Sequence, residues 1–263
     1  QDVAALFDLE SGDFMYTRLG NPTLSVLENH MAELEGGTGA LSASSGQAAT
    51  LMTLLNICQA GDHIISSSSI YGGTFNLLGV SLKKMGIEVT FVDVKDSVET
   101  IVAAARPTTK AIFAETLANP ALVVLDFDKF KKASLELGVP LIVDNTLATP
   151  ALTRRIEHGA DIIIHSTTKY ADGHASSLGG MVIEAGNFDW SASDKYPGLT
   201  EPDDSYHGLR FYEKFGKTAF TVKMRTTMLR DFGCTMSPMN AYLTHQGLQT
   251  LHLRMERHSQ NAL

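Results

Sequence analysis

Several apolar stretches of the sequence stop at residues whose side chains could do chemistry. The stretch IIIHSTTK ends in Lys169, an amine preceded by the hydroxyls of Ser166 and Thr168. Upstream, the stretch LIVD ends in Asp144. A lysine in a dry pocket is a natural amine for a Schiff base, although a lysine at the end of a strand can also be a plain surface charge. A carboxylate at the end of an apolar strand is costly to bury unless it meets a cation.

The segments that carry these residues alternate between strand and helix patterns. The sequence predicts short strands at ALSAS, HIISSS, EVTFVDV, AIFAET, LIVDN, DIIIHS and GGMVIE, most of them separated by helices. This alternation indicates an α/β fold with a mainly parallel sheet covered on both faces. Ligands of such sheets bind at the carboxyl ends of the strands, so we expect Asp144 and the residues around Lys169 to share one site.

Helix signals frame the two ends of this series. Asn21-Pro22 predicts an N-cap with proline at the first helical position, and Gly36-Gly37 predicts the end of that helix. Near the end of the sequence, Leu248, Leu251 and Met255 recur at helical spacing, which predicts a helix whose apolar stripe must be buried. An aromatic-rich segment at 188–220 is expected to be ordered, either as a lid or as an oligomer contact.

The composition excludes several classes of function. The chain has 263 residues and a net charge of −8, with no basic cluster, which argues against nucleic acid as a partner. No apolar run reaches the roughly 20 residues that cross a bilayer, so we expect no membrane span and a cytoplasmic location. The two cysteines, Cys58 and Cys234, suit a reducing compartment. No Cys or His pair has metal-ligand spacing, and we interpret His165 and His174 as structural.

The residues favour pyridoxal 5'-phosphate over a nucleotide cofactor. The early glycine cluster lacks G-x-G-x-x-G spacing, and no P-loop lysine pattern occurs. Lys169 could hold an aldehyde, Asp144 a protonated ring nitrogen, and the hydroxyls of Ser166 and Thr168, with the N–H groups at Gly46-Gln47, a phosphate. From these residues alone, Asp144 could equally be a turn residue, and the two hydroxyls could be plain helix caps.

Motifs along the whole chain carry a family resemblance. The sequences YTRLGNPT, LSASSGQAAT, YGGTF, ETLANP, VDNTLATP and HSTTKYADGH occur in order. Together they resemble the Cys/Met metabolism family of pyridoxal-phosphate enzymes. The resemblance implies the aspartate-aminotransferase-like fold (fold type I), and a smaller C-terminal domain that would lie mostly beyond Leu263. Ala175 departs from the pattern, since glycine is usual there.

The resemblance also assigns roles to residues at the matching positions. Lys169 matches the Schiff-base lysine and Asp144 the partner of the pyridine nitrogen. Tyr71 matches an aromatic residue that stacks on the cofactor ring and helps to move protons, although core packing is the alternative. Asn119 matches a residue near the phenolic oxygen of the cofactor.

The phosphate site and its neighbours are assigned in the same way. Gly46, Gln47, Ser166 and Thr168 match the phosphate cup. The resemblance further implies that Tyr16 and Arg18 reach the phosphate in a neighbouring subunit, within a homotetramer built from catalytic dimers. It divides the chain into a segment at 1–38 that serves the neighbouring site, a large cofactor domain at 39–240 with an aromatic insertion at 187–225, and the start of a helix at 241–263.

Two features of the sequence favour one reaction within the family. The segment that runs from YPGLTEPDD resembles the insertion of O-acetylhomoserine sulfhydrylases, and Gly73 stands where methionine γ-lyases typically carry cysteine. The resemblance therefore implies a γ-replacement of methionine biosynthesis, in which O-acetyl-L-homoserine and sulfide, or another thiol, give L-homocysteine, or a thioether, and acetate. The alternative is an elimination of the methionine or cystathionine γ-lyase type, which gives an α-keto acid, ammonia and a thiol. A non-catalytic protein on the same fold is a further alternative, which the presence of Lys169, Asp144 and Tyr71 disfavours.

Overall fold

One mixed sheet runs through the residues that the computed structural model describes, 14–263. Its strands are β1 (Gly39–Ala43), β2 (His63–Ser67), β3 (Glu88–Val92), β4 (Thr109–Glu115), β5 (Leu141–Asp144), β6 (Ile162–His165) and β7 (Gly180–Glu184). They lie side by side in the order β1-β7-β6-β5-β4-β2-β3. The pairs from β6 to β3 are parallel, whereas β7 is antiparallel to both β1 and β6. The predicted α/β fold with a mainly parallel sheet is confirmed.

Helices connect most of the strands. They are α1 (Pro22–Glu35), α2 (Gly46–Leu55), α3 (Gly72–Asn76), α4 (Leu82–Lys84), α5 (Val98–Ala103), α6 (Phe127–Leu137), α7 (Thr149–Leu152), α8 (Pro197–Thr200), α9 (Phe211–Phe215), α10 (Ala219–Met224), α11 (Arg230–Phe232), α12 (Pro238–Leu248) and α13 (Leu251–Ala262). A π turn at Leu77–Ser81 joins α3 to α4, and a second at Arg225–Leu229 joins α10 to α11. Within residues 14–263, no helix combines the length and the apolar character needed to cross a membrane.

The predicted limits of α1 are confirmed. The Asn21 side chain accepts a hydrogen bond from the Thr23 N–H at 3.0 Å, and Pro22 is the first helical residue. Proline suits this position because its missing N–H would have no partner within the helix. Gly36 ends the helix at a φ of 81°, a left-handed conformation that glycine adopts without strain.

The solidly apolar strands are explained by cores on both faces of the sheet. Successive side chains of a strand point to opposite faces. Accordingly, Ile162 and Ile164 of β6 join one buried apolar cluster, while Ile163 joins the other. The strand must therefore be apolar at every position, and polar side chains are confined to its end.

The aromatic segment at 188–220 is part of the core. The side chains of Trp190, Phe211 and Phe220 are almost completely buried, and the rings of Trp190 and Phe220 stack with centroids 5.3 Å apart. These rings pack in the same cluster as Ile162 and Ile164, on one face of the sheet. The segment is ordered, as predicted, but it fills a core and does not form a lid.

The apolar stripe near the end of the sequence is buried against the same domain. Leu248, Leu251 and Met255 are each less than 5% exposed and pack in the cluster that contains Ile163. The stripe is carried by two helices, α12 and α13, where the sequence predicted one. They are separated at Gln249-Thr250.

Replacing Phe220 with alanine should destabilise the protein by about 3–5 kcal/mol, because a buried ring is lost and a cavity remains. The matched control is Phe232→Ala, which removes a ring that is 58% exposed and should change the free energy of unfolding by only about 0.5 kcal/mol. Denaturant titrations of both variants give the two values. Equal losses in the two variants would contradict the assignment of the segment to the core.

Candidate active site

The carboxyl ends of β4, β5 and β6 face a cavity of about 210 Å³. The first turn of α2 and the loops before α3 and after β4 complete its walls. Eight of the residues predicted for the site line this cavity. They are Gly46, Gln47, Tyr71, Asn119, Asp144, Ser166, Thr168 and Lys169.

Asp144 places a carboxylate at the base of the cavity. Its Oδ1 accepts a hydrogen bond from the Thr146 N–H at 2.9 Å, so the turn after β5 fixes its orientation. Burial raises the pKa of Asp144, and the hydrogen bonds from Thr146 and the charge of His165 oppose this rise. A carboxyl in such surroundings ionises fully only when a cation approaches it. A protonated ring nitrogen is a cation of this kind.

Lys169 follows β6 in a tight turn. The turn is closed by the Lys169 N–H, which donates to the Ser166 carbonyl at 3.2 Å, and by the Gly173 N–H, which donates to the Lys169 carbonyl at 2.8 Å. The side chain lines the cavity together with Asp144. The parallel pairing of β5 and β6 thus brings a carboxylate and an amine that are 25 residues apart to one edge of the sheet.

The beginning of α2 forms the opposite wall. The Ser45 hydroxyl caps the helix by accepting from the Ala48 N–H, which leaves the N–H groups of Gly46 and Gln47 directed toward the helix start. Free N–H groups and the helix dipole favour an anion at this point. The Gln47 side chain donates to the Thr74 hydroxyl at 2.9 Å, so its contribution to an anion site would come from its backbone.

Gly46 allows this helix to lie against the turn that carries Lys169. A Cβ at Gly46 would lie 2.6 Å from the Ser166 Cβ and 2.9 Å from its Cα, closer than such atoms approach. Thr168 stands next to this contact, and its hydroxyl bonds both the N–H and the carbonyl of Gly179 at 3.1 Å. The hydroxyls of Ser166 and Thr168 and the N-terminus of α2 thus lie together on one side of the cavity, and this group is called the polar corner.

The Tyr71 ring stands at the rim of the cavity above Gly73. A Cβ at Gly73 would lie 2.5 Å from Tyr71 Cε1, so the ring can occupy this position only over a glycine. The Tyr71 N–H donates to Glu115 Oε1 at 2.7 Å. Tyr71 is partly exposed, which excludes the alternative that it is a core residue.

Tyr16 and Arg18 lie away from the cavity of their own chain. Both side chains are exposed, and the Arg18 guanidinium lies 5.0 Å from the centre of the Tyr16 ring. The Thr235 hydroxyl donates to the Arg18 carbonyl at 2.9 Å, which fixes the backbone of this segment. Their predicted role concerns a neighbouring subunit and stays a prediction. The predicted 1–38 segment is described here only from residue 14 onward.

His165 belongs to a buried network beneath the cavity. Its Nε2 lies 2.6 Å from Glu35 Oε1, and both side chains are buried. The Asn145 side chain donates to the same oxygen of Glu35 at 2.8 Å and accepts from the Thr116 hydroxyl at 2.8 Å. The interpretation of His165 as structural is confirmed. This network ties the end of α1 to the residues that follow β4 and β5 and to the last residue of β6.

Two further sequence interpretations concern residues away from the cavity wall. His174 bonds Asp172 through its ring and its N–H, in keeping with a structural role. Ala175 adopts a φ of 54°, so the backbone of this turn keeps the left-handed conformation that favours glycine. Cys58 is buried in the core, and both cysteines are free thiols.

Sequence reasoning missed Glu115 and Thr146. Glu115 is the last residue of β4 and lines the cavity beside Asp144. Like Asp144, Glu115 is a carboxylate at the end of an apolar stretch, AIFAE, so the same pattern indicates it. Thr146 accepts the Ser166 N–H at 2.8 Å through its hydroxyl, and no pattern in the sequence indicated that contact.

A comparison with known protein families agrees with this geometry. A family model described as Cys/Met metabolism PLP-dependent enzyme matches residues 1–263. The chain belongs to this family. The cofactor of the family is pyridoxal 5'-phosphate, and the fold is that of its fold type I enzymes.

Individual relatives cover almost all of the chain. It is 50% identical to O-acetyl-L-homoserine sulfhydrylase of Leptospira meyeri and 47% identical to the protein of that name from Corynebacterium glutamicum, over 99% and 98% of the chain. The chain spans 60% of the length of each. A crystal structure of an O-acetylhomoserine (thiol)-lyase from Campylobacter jejuni, which contains a pyridoxyl-lysine phosphate residue, matches 98% of the chain with a TM-score of 0.95 and 39% identity. The match covers 64% of that structure.

The residues around the cavity fit the cofactor of the family. Asp144 is a half-buried carboxylate whose charge would be stabilised by a cation, and Lys169 supplies the amine on the same wall. The close approach of α2 to Ser166, which only a glycine permits, aligns helix N–H groups with two hydroxyls. These three groups match a ring nitrogen, an aldehyde and a phosphate.

Replacing Gly46 with alanine should weaken cofactor binding by about tenfold or more, because the added Cβ pushes α2 away from Ser166 and separates the phosphate donors. The matched control is Gly72→Ala, since a Cβ there meets nothing within 4 Å. The measurement is the dissociation constant of pyridoxal 5'-phosphate for each full-length variant. Unchanged binding in the Gly46 variant would exclude this corner as the phosphate site.

Proposed function

We propose that the protein catalyses a pyridoxal-phosphate-dependent γ-replacement, in which O-acetyl-L-homoserine and sulfide, or another thiol, give L-homocysteine, or a thioether, and acetate. The observation that carries the proposal is the convergence of Lys169, Asp144 and the start of α2 on one cavity. The relatives named O-acetyl-L-homoserine sulfhydrylase support the choice of substrates. The two free thiols suit the cytoplasm, which we propose as its location.

In this proposal each residue around the cavity has a separate task. When bound, the cofactor supplies an electron sink that lets a proton leave the α carbon of the substrate. Asp144 holds the ring nitrogen through its negative charge. Ser166, Thr168 and the N–H groups at the start of α2 hold the phosphate. The Lys169 amine would hold the aldehyde, and its Nζ, once free, would accept and return protons from a fixed position.

Tyr71 and Gly73 bear on the choice between replacement and elimination. The Tyr71 ring occupies the rim of the cavity directly over Gly73, at a distance that leaves no room for a side chain. A cysteine at this position, as is typical of methionine γ-lyases, would require the Tyr71 ring to move. The glycine therefore supports a replacement enzyme, in which the ring orients the cofactor and limits access by water.

The full-length protein should form homocysteine from O-acetylhomoserine and sulfide at least about tenfold faster than it forms 2-oxobutyrate from methionine. Replacing Gly73 with cysteine should lower the rate of homocysteine formation about tenfold, since the Tyr71 ring is displaced. Both products are measured under matched substrate concentrations.

The control for this substitution is Gly72→Cys, which adds the same thiol at a neighbouring position with open space around it. It should retain wild-type rates. Dominant turnover of methionine by the wild-type protein would overturn the replacement reaction in favour of a γ-lyase. Equal effects of the two cysteine substitutions would show that the contact between Gly73 and Tyr71 does not matter.

We further propose that the active unit is a dimer within a tetramer, in which Tyr16 and Arg18 complete the phosphate site of a neighbouring subunit. Both side chains are exposed and absent from the cavity of their own chain. Their segment is nevertheless held firmly. Arg225 donates to the Leu19 carbonyl at 2.9 Å and to Glu28 at 2.6 Å, which anchors the turn to α1. The division of the chain at residues 38 and 240 is part of the same proposal, with the first segment serving the neighbouring site and residues 39–240 binding the cofactor.

Mixing two inactive variants should restore activity. The Lys169→Ala variant lacks the amine in its own site. The Arg18→Ala variant lacks the guanidinium that is proposed to complete the phosphate site of the neighbouring subunit. A mixed dimer contains one site with neither change, so co-refolded or co-expressed variants should recover up to about half of the wild-type activity per dimer. Activity no higher than that of the separate variants would argue that each site is built from one chain.

A further inference from the structure

Two carboxyl groups stand side by side at the edge of the sheet. Glu115 is the last residue of β4 and Asp144 the last residue of β5, and they are direct partners in the parallel pairing of these strands. Residues paired in this way point to the same face. Both line the cavity. Among residues 14–263, no cation lies within ion-pair distance of Glu115.

The Glu115 carboxyl is engaged with the backbones of two loops. Its Oε1 accepts the Tyr71 N–H at 2.7 Å, just before α3. The Asn119 N–H, in the loop that follows β4, is a second backbone donor that acts on this carboxyl and lowers its pKa. Tyr71 is the residue predicted to stack on the cofactor ring, and Asn119 is predicted to lie near the phenolic oxygen of the cofactor. One buried carboxyl therefore sets the position of both.

The surroundings of Glu115 decide its charge. Burial and the neighbouring charge of Asp144 raise the pKa of Glu115 to about 8, against the opposing effect of the two N–H donors. The titratable groups on the elements around it are Asp144 at the end of β5, Lys169 after β6 and Tyr71 before α3, while β2 ends in serines. His165 acts on Asp144 and favours its ionised form. Two adjacent carboxyl groups of this kind readily share one proton, and a cation bound by Asp144 leaves that proton on Glu115.

We propose that Glu115 is a positioning residue for the cofactor, which as a neutral acid holds Tyr71 and Asn119 in place and leaves Asp144 as the one charged partner of the ring nitrogen. A neutral carboxyl still offers its carbonyl oxygen to the two N–H groups. It adds no second negative charge beside Asp144, where two ionised carboxylates would repel each other. The inference rests on the proposed cofactor site and is independent of which substrate is used.

The test compares three variants of the full-length protein in cofactor binding. Glu115→Ala removes the acceptor of both N–H groups and should weaken pyridoxal 5'-phosphate binding by about tenfold or more at pH 7. Glu115→Gln keeps an oxygen acceptor without a charge and should bind within about threefold of the wild type. Glu136→Ala, on the exposed surface of α6, should match the wild type. Binding is followed by titrating cofactor-free protein, without substrate.

The pH dependence of stability gives a second readout. In the unfolded chain Glu115 ionises near its ordinary value of 4.5, and in the folded chain near 8, so raising the pH between these values favours unfolding. Glu115→Gln lacks this response. The unfolding temperature of the cofactor-free variant, relative to that of the cofactor-free wild type, should rise steadily from pH 5 to pH 8.5.

The outcomes are distinct. Wild-type cofactor affinity in Glu115→Ala would overturn the positioning role. A Glu115→Gln variant that binds as weakly as Glu115→Ala, or whose relative stability does not change with pH, would overturn the neutral acid. A wild-type protein that binds the cofactor but makes no homocysteine would contradict the proposed reaction alone, because none of these measurements uses substrate.

Discussion

The carboxyl group of Asp144, half-buried at the carboxyl end of β5, is the constraint on which the site depends. Its strand lies in the interior of the sheet between β4 and β6, so water has little access to the charge and its pKa is raised. A buried charge without a partner is strongly destabilising, whereas one that meets a cation is stabilised. The site is thus built to accept a protonated ring, with Lys169 held one strand away to bind the same molecule.

A second layer of polar contacts keeps the strand ends in register. Glu35, at the end of α1, bonds both His165 and Asn145, and Asn145 in turn accepts from Thr116. Hydrogen bonds in such a buried network are expensive to break because each released group would lose its partner. The same helix begins just after the segment that carries Tyr16 and Arg18. Through α1, the base of one site is therefore linked to the residues proposed to serve the neighbouring site.

The sequence predicted the fold and the main chemistry because both follow from local patterns. Alternating apolar strands and helices determine the parallel sheet, and polar residues at strand ends reveal Asp144 and Lys169. Glu115 satisfied the same rule and was overlooked. The contact of Gly73 with the Tyr71 ring depends on how two turns pack, and the bond from Ser166 to Thr146 joins residues 20 positions apart. No local pattern specifies either contact. The aromatic segment was predicted to be ordered, but its burial beneath the sheet is a tertiary property.

The most direct test of this account is the location of the cofactor bond. Full-length protein loaded with pyridoxal 5'-phosphate is reduced with borohydride, which makes the bond between aldehyde and amine permanent, and is then digested and examined by mass spectrometry. We predict a pyridoxyl phosphate group on Lys169, and no such group on the other lysines. A label on a different lysine, or a protein that takes up no label, would contradict it.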